Sequence, residues 1–503
     1  MLMAITAVLL LGLCVRVLRI DTAELWLDEA CTAAFADMSQ SDLFHALLTT
    51  EGHPPIYYEL MMAWRAIGDS SALWLRLPSL IAGLALIIAT FQIARRLLGD
   101  QNAWLPALAA AVSPIGIYYS IEARQYALLA ALAAFAWLNL EHYLRSGERR
   151  PAIASIIFTG LSCGTHFIAL FIVPLPLLWW LLSDPWSKVI QQRAIRIQLG
   201  WAAAAMPVLT LALLRLDAGN PGTAWLTSQP VHTALWDSLV ALSGSGQYPD
   251  YLGFLGLVDV AAPIRWVGLS ITGIGLIAGF WPGENGYLRA GAMAWLLPTM
   301  VFPAIISLLK PIYLPGRYEL AAIPVLYAIW VYGWSRITSR WHSPLRSMVI
   351  ATLILLSALP TLWEYLPMKV SQPWSSVVAQ SRLPAEAPVV CTGLTCPTLR
   401  WALTRSGHKA SVRGYPSDVE EHPCWESATP LKGERLTHDA NLLATALNTA
   451  ASTVAIAGEF VPGTTRPMHW QTISPLFQRL EQLGFRSQKP DVVQGRWIMR
   501  WVK

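Results

Sequence analysis

Charge is what this sequence has least of. Asp, Glu, Lys and Arg make up 13% of its 503 residues, while 54% are hydrophobic. An average soluble domain carries roughly 25% charged residues, so the polar surface that a soluble enzyme needs is missing. The same apolar content excludes a disordered chain, which is poor in hydrophobic residues. Cysteine is also sparse: six occur, with no Cys-x-x-Cys pair and no Cys/His zinc spacing. Cys391, Cys396 and Cys424 fall in a polar tail, where one disulfide and free thiols are equally open readings. There is no Walker phosphate loop and no dinucleotide fingerprint in a suitable context. The net charge of +5 is not gathered into a basic stripe, so nucleic acid is not an expected partner. What remains is a polytopic membrane protein, and the 24 Trp suit one, since Trp collects at membrane interfaces.

Apolar windows near 20 residues predict about eleven transmembrane helices. They lie at roughly 2–20, 72–94, 103–119, 125–144, 152–167, 168–182, 198–215, 263–281, 290–309, 318–335 and 347–366, with a break near Gly164-Thr165-His166. The first window lacks a basic start and is interrupted by Arg16 and Arg19, so it reads as an uncleaved anchor. Lys and Arg gather in one set of loops, with Arg95, Arg96, Arg145, Arg193, Arg289, Arg336 and Arg340 among them. That set is expected to be cytoplasmic. The N-terminus is then inside, and the 21–71 loop, the 216–262 loop and the tail after 367 are outside. The tail has β-like runs at 387–391, 452–457 and 496–502 around a helical stretch at 474–483, which predicts a small α/β domain over 367–503.

The first outer loop is chemically uneven. Between Asp21 and Asp69 it holds nine acids and one base, Arg65. Asp42–Thr50 and Pro55–Ile67 read as short amphipathic helices, the second with Tyr57, Tyr58, Met61, Met62 and Trp64 at the membrane interface. Asp28-Glu29 follow Leu25-Trp26-Leu27 just beyond the first span. Adjacent carboxylates there take a proton from a hydroxyl, hold a metal, or merely cap a helix. Glu122, Arg124 and Tyr126 occupy a turn between two spans on the same face, where the two charges either pair with each other or serve a site. His53, His166, Lys310, Arg317 and Tyr318 reach the same level. Ionisable groups near lipid are costly and read as functional by default, although Lys and Arg also snorkel and a lone His is more often structural. Carboxylates, cations and an interfacial platform on one face suit a substrate whose lipid tail stays in the bilayer and whose phosphate sits at the boundary. Arg or Lys can stabilise the departing phosphate, and a carboxylate can take the proton of an incoming hydroxyl.

At these residues the sequence resembles the GT-C membrane glycosyltransferases, in the family 39-like branch of protein O-mannosyltransferases and lipid A aminoarabinose transferases. The resemblance rests on Leu25–Ala30, His53–Tyr58, Leu75–Ser79, Ser113-Pro114, Tyr119–Tyr126, Thr165–Phe167 and Arg317-Tyr318, in order over residues 1–335. It implies a GT-C transmembrane catalytic domain over 1–366 and an inverting transfer from a polyprenyl-phosphate sugar to a glycan, lipid or protein hydroxyl. It implies Asp28 as base or acceptor contact, Glu29 as its assistant and Glu122 as a second acid. Arg317 would hold the lipid phosphate with Lys310, Arg124 or Tyr318, and His53, Tyr57, Tyr126 and His166 would line the pocket. No cofactor is certain; a divalent metal is left open, with Glu122 and His166 as candidate ligands. The expected partners are the donor and membrane lipids, and the expected setting is a bacterial inner membrane. The alternative is a transporter or lipid flippase without chemistry, which calls for midplane charges and inverted repeats. A scaffold acting through the tail is a third reading.

Overall fold

The computed structural model describes residues 2–21, 23–49, 52–183, 186–214, 229–243, 262–283, 286–365, 373–418, 431–461, 467–468 and 470–503. Much of the expected 216–262 loop, and Cys424, lie outside the described residues. The apolar windows fold as helices: α1 (Leu2–Ile20), α5 (Ala72–Leu98), α6 (Trp104–Val112), α7 (Pro114–Ser120), α8 (Tyr126–Ser146), α9 (Arg149–Thr165), α10 (Leu175–Ser183) and α11 (Lys188–Leu214). After α12 (Val231–Leu242) come α13 (Ala262–Phe280), α14 (Gly286–Leu296), α15 (Phe302–Ile306), α16 (Ile323–Ile337) and α17 (Ser343–Tyr365). Between α1 and α5 lie three short helices, α2 (Leu27–Ala36), α3 (Gln40–Thr49) and α4 (Ile56–Ala66). Six stretches among the described residues are long and apolar enough to cross a membrane: α1, α5, α8, α11, Arg289–Ile306 and Tyr318–Ile337. Large apolar side chains are exposed on them, such as Leu10, Leu18, Leu199 and Met206, as a lipid-facing surface requires.

Two prolines shape the end of the bundle that carries the loop 23–71, and each leaves a carbonyl that another side chain satisfies. A proline inside a helix has no N–H for the carbonyl four residues earlier. Pro78 orphans the Trp74 carbonyl, which accepts the Trp64 Nε1–H at 2.9 Å; Trp74 Nε1–H returns the bond to the Trp64 carbonyl at 3.2 Å. The two indoles stack at 4.6 Å and lock α4 to α5. A Cβ on Gly68, in the elbow between them, would fall 1.9 Å from Trp74. Pro114 likewise separates α6 from α7. The Arg16 guanidinium, buried in α1, reaches the Ala110 and Ala111 carbonyls at 3.5 and 2.8 Å. At the other end of the bundle, the basic residues that mark the loops also close helices. Arg193 donates to the Leu144 and Arg145 carbonyls that end α8, and Arg336 to the Ala278 and Trp281 carbonyls that end α13. The expected break at His166 is present: α9 stops at Thr165, His166 is extended, and a 3-10 turn covers Phe167–Ile172.

One expectation is corrected. The aromatic face of α4 does not meet lipid. Tyr57, Tyr58 and Met61 are buried inside the protein with α2, and Phe35 of α2 lies 4.7 Å from the Tyr58 ring. An amphipathic pattern reports an apolar face but not what covers it, and here protein does.

The tail folds as a mixed sheet with helices. Its elements are α18 (Trp374–Ser381), β1 (Val389–Thr392), α19 (Cys396–Arg405), β2 (Val412–Tyr415), α20 (Gly433–Ala450), β3 (Thr453–Glu459), α21 (Trp470–Gln482), β4 (Arg486–Ser487), β5 (Asp491–Val493) and β6 (Arg496–Val502). The strand order is β2-β1-β3-β6-β4, with β5 also on β6; the first three strands are parallel and β6 is antiparallel. Of the two open cysteine readings, the disulfide holds: Cys391 is bonded to Cys396.

Replacing Arg16 with Met leaves the Ala110 and Ala111 carbonyls without their donor inside an apolar bundle. The expected loss is about 2 kcal/mol, read as a lower unfolding temperature in detergent.

Candidate active site

The site forms where the start of α2, the start of α5, the 121–125 turn, the start of α8 and the 314–318 turn meet. Trp26 is extended ahead of α2, and Glu29 in the first turn accepts the Trp26 N–H at 3.4 Å, so the helix begins with both carboxylates of Asp28-Glu29 inside the protein. Glu29 is fully engaged. Its Oε1 accepts from Arg76 Nε at 2.7 Å and from the Ala123 N–H at 2.8 Å, and its Oε2 accepts from an Arg76 terminal nitrogen at 2.6 Å. Arg76 uses its remaining donors on the carbonyls of Ile20, Ala23 and Glu24, so all five guanidinium N–H groups are satisfied. This pair joins the end of α1, the start of α2, α5 and the 121–125 turn. Glu29, expected to assist Asp28, has no oxygen left over for a substrate.

Asp28 differs. It is buried, and its Oδ2 lies 3.8 Å from Arg124 and 3.6 Å from Arg317. These are ion-pair distances, longer than hydrogen bonds. The two guanidinium groups come from different turns, and both lie near the Tyr126 ring. Arg124 is held by its backbone, whose carbonyl accepts from Ser79 Oγ at 3.0 Å, and it donates to the Asp28 carbonyl at 3.3 Å. Arg317 donates to the Tyr126 hydroxyl at 3.2 Å and lies 5.2 Å over the Tyr126 ring. Its turn is braced twice: Tyr119 donates to the Gly316 carbonyl at 2.9 Å, and the Gly316 N–H donates to the buried Glu319 carboxylate.

Glu122 is buried, and neither of its oxygens has a hydrogen-bond partner. Burial pushes its carboxyl up to about 8; Arg317 and Arg124 pull it down, while Glu29 and Asp28 push it further up. Glu122 therefore pairs with neither Arg124 nor a backbone group. An aromatic wall stands beside Arg317. His166 lies 5.8 Å from Tyr126, 4.9 Å from Tyr318 and 5.1 Å from His53. Burial raises the Tyr57 phenol above its ordinary value, and the charges it feels include Arg124 and Glu122, which puts it beside the same turn. The site thus gathers Asp28, Glu122, Arg124, Arg317, Tyr126, Tyr318, His53, His166 and Tyr57. Lys310 does not join them. It stands exposed beyond α15, whereas Asp28, Glu122 and Arg124 are buried and Arg317 is mostly covered.

Three groups that matter here carried no role in the sequence reading. Arg76 lay in a quoted motif, and its signal was a charge inside a membrane window. Glu319 follows Arg317-Tyr318 directly, an acid at the mouth of another window. Arg16 was visible only as an interruption.

No set of three or more His, Cys, Asp or Glu side chains that could hold a metal ion occurs among the described residues, and His166 Nδ1 already accepts the Ile168 N–H at 3.0 Å. Among the described residues, no third such side chain joins Glu122 and His166.

Among solved structures, the chain is similar to ArnT from Cupriavidus metallidurans bound to undecaprenyl phosphate, with a TM-score of 0.61 at 14% identity, covering 99% of this chain and 97% of that one. The apo form of the same protein gives 0.62 at 14% identity, with the same coverage. An oligosaccharyltransferase from Archaeoglobus fulgidus, in complex with Zn and sulfate, gives 0.53 at 12% identity, covering 98% of this chain and 72% of that one. These likenesses establish the fold. No curated protein matches by sequence. Residues 52–212 match the family of dolichyl-phosphate-mannose-protein mannosyltransferases. With that match, fold and site define an integral membrane glycosyltransferase of the GT-C type, dependent on a lipid-phosphate sugar donor. The matched stretch carries His53, Tyr57, Arg76, Glu122, Arg124, Tyr126 and His166 of the site.

Removing one partner of a buried ion pair strands the other charge. Glu29→Ala is expected to cost about 3–5 kcal/mol, seen as a large drop in unfolding temperature, whereas Asp28→Asn, which breaks longer ion pairs and no side-chain hydrogen bond, should lower that temperature less. The raised Glu122 pKa makes a second prediction. The unfolded carboxyl ionises near 4.5 and the folded one near 8. The native state therefore loses stability as pH rises through that window, and the loss is complete above it. Glu122→Gln removes this term, so its unfolding temperature should fall less between pH 5 and pH 8 than that of the wild type.

Proposed function

We propose that the protein transfers a sugar from a polyprenyl-phosphate donor to an acceptor hydroxyl, with inversion, and that Asp28 is the base. The observation that carries this reading is the position of the Asp28 carboxylate, buried with Arg124 and Arg317 at 3.8 and 3.6 Å yet hydrogen-bonded to neither guanidinium group. With Glu29 and Arg76 neutralising each other and Glu122 protonated near neutral pH, the charges beside the Asp28 carboxylate are the two guanidinium groups of Arg124 and Arg317. The site is thus poised for an additional anion. A lipid phosphate supplies it, and the ArnT structure bound to undecaprenyl phosphate supports a polyprenyl carrier.

In this mechanism the acceptor hydroxyl gives its proton to the Asp28 carboxylate as its oxygen attacks the anomeric carbon. The bond from that carbon to the phosphate oxygen breaks, and the polyprenyl phosphate leaves with the electron pair. Arg317 stabilises the developing charge, with Arg124 helping. Tyr126 and Tyr318 orient Arg317 and wall the phosphate. Glu122, protonated and unpartnered, donates to a sugar or acceptor oxygen, and His53, His166 and Tyr57 line the sugar. The acceptor is a glycan, lipid or protein hydroxyl.

We also read residues 1–366 as the catalytic domain, and 367–503 as an α/β domain on the same side of the membrane as the site. That side is the outer one of a bacterial inner membrane. In support, α5 and α8 place Arg76 and Tyr126 near one end and Arg95, Arg96 and Arg145 at the other, and the basic end belongs in the cytoplasm.

The test is transfer or hydrolysis from a panel of polyprenyl-phosphate sugars by the full chain in liposomes. Asp28→Asn should lose at least about 1,000-fold in kcat while remaining folded. Arg317→Leu should raise the donor KM about 10-fold or more. Normal turnover by Asp28→Asn would remove Asp28 from the mechanism.

A further inference from the structure

Of the ten residues of α2, nine are buried. A short helix lying on a bundle buries one stripe, so something must cover its other side. The cover is α19. Leu394 and Trp401 pack against the apolar cluster that contains Leu25, Trp26, Leu27 and Ala30. Polar bonds hold this packing at both ends of the segment between α1 and α5. Trp401 Nε1–H donates to the Ser70 carbonyl at 2.9 Å, just ahead of α5. The Ser375 N–H, in the first turn of α18, donates to Glu24 Oε2 at 3.1 Å, just ahead of α2. Glu24 thus supplies the acceptor that a helix N-terminus needs, from the far side of the interface. Arg405 lies 5.2 Å over the Trp401 ring and steadies it. The Cys391–Cys396 disulfide ties the first residue of α19 to β1.

We propose that the C-terminal α/β unit is a clamp that sets the position of Asp28, with Trp401 as its positioning residue. This rests on the reading of Asp28 as the base. Asp28 sits in the first turn of α2 and is held by ion pairs at 3.6 and 3.8 Å, not by hydrogen bonds from its side chain to a rigid partner. Its placement therefore follows the placement of the helix. Glu29 ties α2 to the bundle, and α19 packs on it from the C-terminal unit. The groups assigned to the donor phosphate, Arg317, Tyr126 and Tyr318, belong to α8 and to residues 317–318 and not to α2. A loosened clamp should thus slow the chemical step without weakening donor binding.

The experiment measures kcat and donor KM for the full chain in liposomes, with wild type, Trp401→Phe, Trp401→Ala and Asp28→Asn side by side. The donor is the polyprenyl-phosphate sugar that the wild type turns over. Trp401→Phe keeps the ring and loses the bond to Ser70; kcat should fall about 3-fold. Trp401→Ala also opens the cover over α2; kcat should fall about 10-fold or more, with donor KM within about 2-fold of wild type. A folded Trp401→Ala protein with wild-type kcat overturns the clamp, and so does a change confined to donor KM. If Trp401→Ala does not fold, Trp401→Phe decides, and wild-type kcat in that variant overturns the proposal. Asp28→Asn separates the two readings. Turnover that survives it defeats the base assignment, whereas its loss alongside an unaffected Trp401→Ala defeats the clamp alone.

Discussion

The pairing of Glu29 with Arg76 holds the site together. Two side chains 47 residues apart meet through two short hydrogen bonds, and around them the end of α1, the start of α2, α5 and the 121–125 turn are joined. A buried charge pair is stable only when its remaining donors and acceptors are met. Here the backbone meets them: three carbonyls take the spare Arg76 donors, and the N–H groups of Trp26 and Ala123 reach Glu29. Asp28 and Glu122 each lie one residue from a group held in this pairing, Glu29 and Ala123, so it sets the distance between them.

From that anchor, three carboxylates of one chemical type acquire three characters. Glu29 is saturated and structural. Asp28 is ionically balanced between two guanidinium groups but keeps free lone pairs. Glu122 has burial and no partner, which favours the protonated form. Their neighbours divide the work, and the division leaves two guanidinium groups facing the single Asp28 carboxylate, an arrangement suited to a phosphate. The same economy holds in the bundle, where Arg16, Arg193 and Arg336 each satisfy carbonyls left over at a helix end or a proline break.

Much of the architecture was readable along the chain. The window at 2–20 coincides with α1, and the windows at 72–94 and 125–144 fall within α5 and α8 to within one residue. The short helices α3 and α4 and the strands β1, β3 and β6 were also visible, because periodicity and length are local properties. Charges that break an apolar pattern, at Asp28, Glu122, Arg124 and Arg317, stood out in the sequence, and the fold brings them together. The site was misread where the reading needed a neighbour. Glu29 looked like a second Asp28, and Lys310 looked like a second Arg317. Tyr57, Tyr58 and Met61 looked like a lipid-facing stripe.

The sequence by itself determined a helical membrane protein with a polar tail, an acidic first loop and a set of costly charges gathered at one membrane face. It did so because the cost of placing charge and bare backbone in lipid acts residue by residue. Only the tertiary structure decided which carboxylate is tied down, which is balanced and which stands alone. It also decided that the tail packs over α2, through bonds from Trp401 to Ser70 and from Ser375 to Glu24. Those outcomes depend on contacts between residues tens to hundreds of positions apart, and no local pattern encodes a partner that arrives from so far along the chain.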